Sequence, residues 1–394
     1  LVGSEMCIRD RPRSSGAFSP RSSARFLQRD VPPPIRSAPA WFPPKGRARR
    51  HTNISFKEMV TIMKDIITLD YGSGGQKTSE LIEQLLLPAL GNPALSALGD
   101  GAVLSGAERL VFSTDSFVVT PWRFPGGDIG KLCICGTVND LCMAGGLPKY
   151  ISLSFLLEEG FAIDELKEIV SSIAEEAAKT GVIIATGDTK VVERGKGDGI
   201  YINTAGIGFL RASLPGQAGI QEGDKILLSG TPGCHGAAIM MARAGLSDSA
   251  SLRSDCAPLH LLSDAALSAG EIRILRDPTR GGVATTLNEF VEHSPLGIVL
   301  EEDQIPADPS VEAACDLLGL DPLYCACEGR MLAVVSPRTA DAVLSALRHT
   351  PGGEHAACIG TVTGAFPGQV ALNTRLGGTR LLQKLSGMQL PRIC

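Results

Sequence analysis

The chain has 394 residues, of which 44% are hydrophobic and 20% charged, with a net charge of −5. That length accommodates two domains with independent cores, the balance is that of a globular protein, and no apolar run approaches a membrane span. Residues 1–58 carry 12 Lys/Arg against 4 Asp/Glu, leaving −13 on residues 59–394, and an acidic body offers no electrostatic footprint for nucleic acid.

Residues 1–58 also hold 8 of the 25 prolines and no sustained hydrophobic period. Such a composition cannot bury enough apolar surface to fold. It is Arg- and Ser-rich like a transit peptide but lacks a clear amphipathic helix. The reading preferred is an artefact of the gene model, with a native start near Met59 or Met63.

Folded structure is expected from Ile66. The glycine-rich segment Tyr71-Gly72-Ser73-Gly74-Gly75 follows, then a helix capped by Thr78 or Ser79 with Leu81, Ile82, Leu85 and Leu86 at helical spacing, ended by Pro88 and Gly91. Residues 109–119 and 151–157 read as strands, 128–144 as a helix opened by Asp128, and Asp164 to about Lys179 as an amphipathic helix. A short strand, 182–185, runs into Thr186-Gly187-Asp188-Thr189-Lys190, and 201–209 alternates as another strand. After the turn at 221–224, helices are expected near 235–245, 258–269, 281–292 and 338–349 with strands between them. The mixture predicts an α+β architecture in two halves.

Asp100, Asp115, the pair Asn139-Asp140 and Asp188 all lie beside small residues at or near element ends. Each alone reads as a cap or turn residue; together they point to a site for Mg²⁺ and a polyphosphate. Gly72, Gly74 and Gly75, followed by Lys77, suit phosphate wrapping by backbone N–H groups, although the segment is neither a P-loop nor a Rossmann fingerprint and reads equally well as a flexible linker. Arg276-Asp277-Pro278-Thr279-Arg280-Gly281-Gly282 precedes a helix, and its glycines read as a possible anion site or as an ordinary helix start. The 11 cysteines include the C-x-C pairs Cys133/Cys135 and Cys325/Cys327, whose spacing suits neither zinc nor dithiol chemistry well. Most of the cysteines are read as small buried hydrophobes in a reducing cytoplasm. The chain ends on Cys394, which alone reads as an accident or as a thiol on a swinging tail.

The motifs Asp70–Gly75, Phe112–Phe117, Gly136–Leu141, Gly187–Val192, Arg276–Gly282 and Pro391–Cys394, in this order, closely resemble the HypE family. Those are the carbamoyl dehydratases of [NiFe]-hydrogenase maturation, within the wider group that includes aminoimidazole ribonucleotide synthetase and selenophosphate synthetase. The resemblance covers roughly 64–394. It implies an N-terminal ATP-binding domain (64–215), a C-terminal α/β domain (221–381) and a mobile tail (382–394), with Gly387 for flexibility and Pro391 for stiffness. It also implies a carbamoyl group loaded onto Cys394 by the carbamoyltransferase HypF and dehydrated with ATP and Mg²⁺ to a thiocyanate. The nitrile would pass to iron on the HypC–HypD assembly, and the enzyme would be a homodimer.

Carried onto matching positions, the nucleotide residues are Gly72, Gly74, Gly75, Asp115, Asn139, Asp188 and Thr189, and the metal residues Asp100, Asp115, Asp140 and Asp188. Activating the carbamoyl oxygen and deprotonating its nitrogen needs a cation and a base, for which Lys190 and Glu328 are the candidates. Their alternatives are a surface lysine and an ion pair of Glu328 with Arg330. Asp100 is followed by Gly-Ala rather than a second acid, a departure from relatives. A phosphotransferase of the same group, such as selenophosphate synthetase, would carry a cysteine or selenocysteine beside the glycine-rich segment, and 71–77 has none. The other competing reading is a non-catalytic maturation scaffold.

Overall fold

A computed structural model describes residues 66–246, 252–385 and 392–394; residues 1–58, Met59, Met63, Gly387 and Pro391 lie outside the described residues. The first half is organised by the long strands β1 (Leu110–Phe117), β4 (Gly146–Glu158), β5 (Ile183–Val192) and β6 (Ile200–Leu210). The hairpin strands β2 (Arg123–Phe124) and β3 (Gly127–Asp128) stand apart from that sheet. The sheet order is β1-β6-β4-β5, antiparallel except for the parallel β4/β5 pair. In β6 the even positions Ile200, Ile202 and Thr204 are buried and their odd neighbours less so, the period-2 signature of a sheet packed on one face.

The glycine-rich segment leads into α1 (Gln76–Leu81), a π turn (Ile82–Leu86) and α2 (Leu87–Leu90). Neither Thr78 nor Ser79 caps this helix. Gly75 is the N-cap, and the Thr78 hydroxyl braces the loop, donating to the Tyr71 carbonyl (2.9 Å) and accepting from the Gly74 N–H (3.0 Å). Pro88 does not end it either. The π turn closes from Leu87 N–H to the Ile82 carbonyl, so Pro88 sits in the first turn of α2, where its missing N–H costs little. The segment 186–190, expected to follow a strand, lies within β5, with Asp188 opposite Ser154 and Lys190 opposite Leu156.

Helix α3 (Ile129–Met143) begins as expected: Asp128 Oδ1 accepts from the N–H groups of Gly130 (2.7 Å) and Lys131 (3.0 Å). It is buried on nearly every side, as its apolar sequence demands. One side packs on the sheet, another on α4 (Ile163–Thr180). Gly130 permits the latter, since a Cβ there would sit 2.4 Å from the Ile169 carbonyl oxygen.

The second half has a seven-stranded sheet formed by β7 (Lys225–Leu228), β8 (Ile272–Arg276), β9 (Gly297–Glu301), β10 (Leu332–Val335), β11 (Ala357–Thr363), β12 (Val370–Asn373) and β13 (Thr379–Leu382). Their order is β13-β12-β9-β11-β7-β10-β8. Its helices are α5 (Cys234–Arg243), α6 (His260–Ala269), α7 (Gly282–Val291), α8 (Pro309–Leu318) and α9 (Ala340–Arg348); α8 was not anticipated. The expectation of independent cores does not hold. One apolar cluster runs from α4 through α3 to Leu259 and to Leu262 and Ala266 on α6, while a second, with Ile226, Val283, Phe290 and Val334, fills the other face of the large sheet.

The start of the expected mobile tail belongs to the body. Leu382 is buried in β13, the Gln383 carbonyl accepts from Tyr324 Oη (2.9 Å), and Lys384 pairs with Glu292 (3.0 Å). Cys133, Cys135, Cys325 and Cys327 are free and buried. Among the described residues no helix is long and apolar enough to cross a membrane.

Candidate active site

Three carboxylates meet where α3 joins the halves. Asp115, near the end of β1, accepts from the Ser116 N–H (2.7 Å); Asp140, on α3, accepts from Ser113 Oγ (2.5 Å); Asp277, buried, follows β8. Burial, augmented by the Asp140 charge, pushes Asp115 up to about 6, against the Ser116 hydrogen bond and Arg280. Burial also raises Asp140, opposed by the Ser113 bond and Arg276. Asp277 is pushed up to about 7, by burial first and then by Asp140 and Asp115. Three carboxyl groups gathered together and desolvated resist ionising together, a penalty that a cation would relieve.

Glu328 projects into the same region. It is buried, with Oε1 unpartnered, and burial together with Cys256, Asp277, Asp115 and Asp255 holds its carboxyl well above the usual range. Arg330 does not pair with it; that guanidinium lies 3.6 Å from Asp255. The chain terminus completes the group. The Cys394 thiol is pushed up to about 12, by burial and by the charges of Glu328 and Asp115, while Arg280 beside it pulls the other way. Stretches of chain far apart in sequence thus bring Glu328, Asp115 and the terminal thiol into one electrostatic neighbourhood.

The glycine-rich segment forms a separate recess of about 200 Å³ with β5. Gly72, Gly74, Asp188, Thr189 and Lys190 supply its polar side, and Leu153, Phe155 and Ile184 its apolar wall. Gly72 packs tightly on β5, a Cβ there meeting the Val191 nitrogen at 2.5 Å, and Gly74 has φ +77, so both positions call for glycine. Gly75 is the helix cap rather than a wall of the recess. Lys190 reaches Asp188 at 2.5 Å and holds that carboxyl below its ordinary value. An apolar slot edged by backbone amides, a hydroxyl and a lysine suits a nucleotide base with its phosphates.

Two expected residues sit differently. Asn139 is completely buried, and its carboxamide is spent inside the protein: Nδ2 donates to the Ala257 and Glu328 carbonyls (3.2 Å each), and Oδ1 accepts from the Leu259 N–H (2.7 Å). It ties α3 to the second half. Asp100 is an exposed bend residue. Among the described residues no group of three or more His, Cys, Asp or Glu side chains is close enough to hold a metal by itself. A four-carboxylate cage is therefore not preformed, because Asp188 is paired with Lys190 and Asp100 stands out in solvent. Asp115 and Asp140 do fit Mg²⁺, which takes one or two carboxylates and completes its shell from water and phosphate.

Four residues at this site escaped the sequence reading. Asp277 and Arg280 belong to a motif examined only for its glycines. His235 and Arg243, on α5, contact the terminal segment; His235, a titratable ring between Cys234 and Gly236, was the available signal for the former.

The first half matches the family described as AIR synthase related protein, N-terminal domain, over residues 98–210, and the second its C-terminal domain over 221–373. The carbamoyl dehydratase HypE of Cupriavidus necator is 47% identical over 345 residues, 86% of this chain and 98% of that protein. Carbamoyl dehydratase HypE of Escherichia coli K12 is 44% identical over 335 residues, 83% and 99% respectively. The crystal structure of a hydrogenase maturation protein HypE in complex with ATP aligns at TM-score 0.80 and 46% identity, over 83% of this chain and 99% of that one. A HypE–HypF complex aligns at TM-score 0.67 and 42% identity, over 77% and 99%. With both halves matched and relatives this similar along nearly their whole length, the chain belongs to the carbamoyl dehydratase HypE family of hydrogenase maturation proteins.

Proposed function

We propose that this chain dehydrates a carbamoyl group carried on its own Cys394 thiol, using ATP and Mg²⁺, to leave a thiocyanate that supplies cyanide to the iron of a [NiFe]-hydrogenase. The observation that carries the reading is that the Cys394 thiol lies within electrostatic reach of Glu328, Asp115 and Arg280. When bound, a nucleotide with its metal would supply phosphorylation of the carbamoyl oxygen, which would turn a poor leaving group into phosphate.

The chain's own residues supply the rest. The recess between Gly72, Gly74, Thr189 and Lys190 would hold the nucleotide, and the raised carboxyls of Asp115 and Asp140 would hold the metal. Lys190, exposed beside the recess, turns from Asp188 to the transferring phosphate. Of the two protons on the carbamoyl nitrogen, one leaves with the phosphate and Glu328 takes the other as the carbon–oxygen bond breaks. Its raised pKa makes it a strong base once ionised, and a cation at Asp115–Asp140 removes part of the charge that keeps it protonated. The same burial makes the docked thiol a poor nucleophile, so carbamoylation takes place with the tail out of the site.

Loading falls to the carbamoyltransferase HypF, and the nitrile is delivered to the HypC–HypD complex in the cytoplasm, where the free thiols stay reduced. The protein acts as a homodimer. The supporting feature is the open face of the four-stranded sheet, where Leu110, Phe112 and Leu147 are 52%, 68% and 45% exposed.

Glu328→Gln tests the mechanism. Loading by HypF and carbamoyl phosphate should proceed normally, while ATP-driven loss of water from the tail, followed by mass spectrometry, slows by about 10²–10⁴-fold. Dehydration at the wild-type rate would remove Glu328 as the base. A tail that is loaded in the wild type but never loses water would leave only a scaffold.

A further inference from the structure

We propose that the terminal residues Arg392-Ile393-Cys394 dock in a built receptor in which His235 and Arg243 are positioning residues, reading the tail backbone and so setting where the Cys394 thiol stands. The role given to the docked thiol rests on the dehydratase reading above. The receptor's existence does not.

Residues 118–120 supply a strand-like edge. Val118 N–H donates to the Cys394 carbonyl oxygen (3.0 Å) and Thr120 N–H to the Arg392 carbonyl (3.4 Å), so the tail runs antiparallel to this segment. Two side chains of α5 then fix it from the second half. Arg243 donates through Nε to the Thr120 carbonyl (2.6 Å) and through Nη2 to the Arg392 carbonyl, clamping both strands of the pairing with one guanidinium.

His235 is completely buried, and its Nε2 lies 2.6 Å from the Ile393 carbonyl. A carbonyl only accepts, so Nε2 carries the proton. Nδ1, 2.8 Å from Ser254 Oγ, then accepts the serine hydroxyl, whose oxygen in turn accepts the Cys256 N–H (3.0 Å). Phe124 packs on the ring at 5.4 Å and 88°. Burial holds the ring neutral, so the tautomer that reads the tail is the one populated at neutral pH.

The tail side chains add selectivity to this backbone recognition. Ile393 is buried within the apolar cluster shared by the two halves. Arg392 pairs with Asp198 (2.5 Å), donates to the Val118 carbonyl (3.1 Å) and lies 5.8 Å over the Tyr201 ring. A receptor that takes one cationic and one apolar side chain and clamps three carbonyls fixes the position of the tail, and the sulfur it carries lies within electrostatic reach of Glu328.

The test is alkylation of Cys394 in the full-length protein at pH 8 with iodoacetamide, read by mass spectrometry of the C-terminal peptide. Arg243→Ala and His235→Leu should raise the rate by on the order of 10²-fold, because a tail released from the clamp exposes its thiol to the reagent. His235→Gln, whose amide N–H can reach the same carbonyl, should stay near the wild type. Cys234 and Cys256, buried nearby, should remain protected in all three. An unchanged Cys394 rate in Arg243→Ala and His235→Leu overturns the receptor, as does parallel exposure of Cys256, which would mean local unfolding. In tails loaded beforehand, single-turnover dehydration should slow by about the same factor while loading does not. Absence of dehydration even in the wild type would defeat the dehydratase reading and leave the alkylation result standing.

Discussion

Asp277 is buried after β8 against Asp140 and Asp115, and its carboxyl is pushed up to about 7 by burial and by those two charges. The unfolded chain loses this proton near pH 4, whereas the folded chain keeps it to about 7. Between those values the folded state binds more protons, so stability falls as pH rises through the window. Asp277→Asn removes the ionisation without changing the shape. At about 1.4 kcal/mol per pH unit it should stabilise the protein by on the order of 2–4 kcal/mol at pH 8 and by almost nothing at pH 3, below both values. Calorimetric melting of variant and wild type at the two pH values checks this; an equal gain at both would mean the charge cluster is not the cause. Neither the high pKa nor the neighbours behind it were legible in the sequence, where Asp277 is one aspartate in a glycine-bearing motif. Asp115 and Asp140 were legible because each follows an apolar run whose periodicity fixes its face.

Helix α3 is the element on which the site is mounted, carrying Asp140 inward and tying the halves through Asn139. Its N-terminus depends on Asp128, which caps Gly130 and Lys131 with one oxygen and accepts from Ser172 Oγ on α4 with the other (2.5 Å). Its approach to α4 depends on Gly130, where a Cβ would meet the Ile169 carbonyl oxygen at 2.4 Å. Gly130→Ala must push the two helices apart and should cost about 1–3 kcal/mol, read as a lower urea midpoint at an unchanged slope. A midpoint shift below about 0.5 kcal/mol would show that α4 has room to move. The extent of α3 is plain in the sequence because an N-cap and a continuous apolar run coincide there. β5 is less plain: Thr-Gly-Asp-Thr-Lys carries turn-forming residues, yet pairing with β4 overrides that local preference. The same override moves the helix cap from Thr78 to Gly75, where the hydroxyl serves the loop instead.

At the scale of the molecule, the carboxylates, Glu328 and the thiol come from separate stretches of chain brought together only by packing, so their types could be read from the sequence but their adjacency could not. Asn139 illustrates the limit: beside Asp140 in a recognisable motif, it serves the joint rather than a ligand. The exposed sheet face poses the remaining question. Phe112 stands opposite Ile207, which in turn pairs with Tyr150, and Leu110 opposite Phe209, giving a continuous apolar surface on the side away from α3. A second copy applied across a two-fold axis would bury each residue twice. Removing Phe112 from such an interface forfeits about 1.5–3 kcal/mol per copy, and Phe112→Asp adds two facing charges. The dimer should therefore weaken by at least about 10²–10⁴-fold, while the melting of the isolated fold changes little. Sedimentation at micromolar concentration should find the wild type dimeric and Phe112→Asp monomeric; a dimer that survives the substitution would place the interface elsewhere.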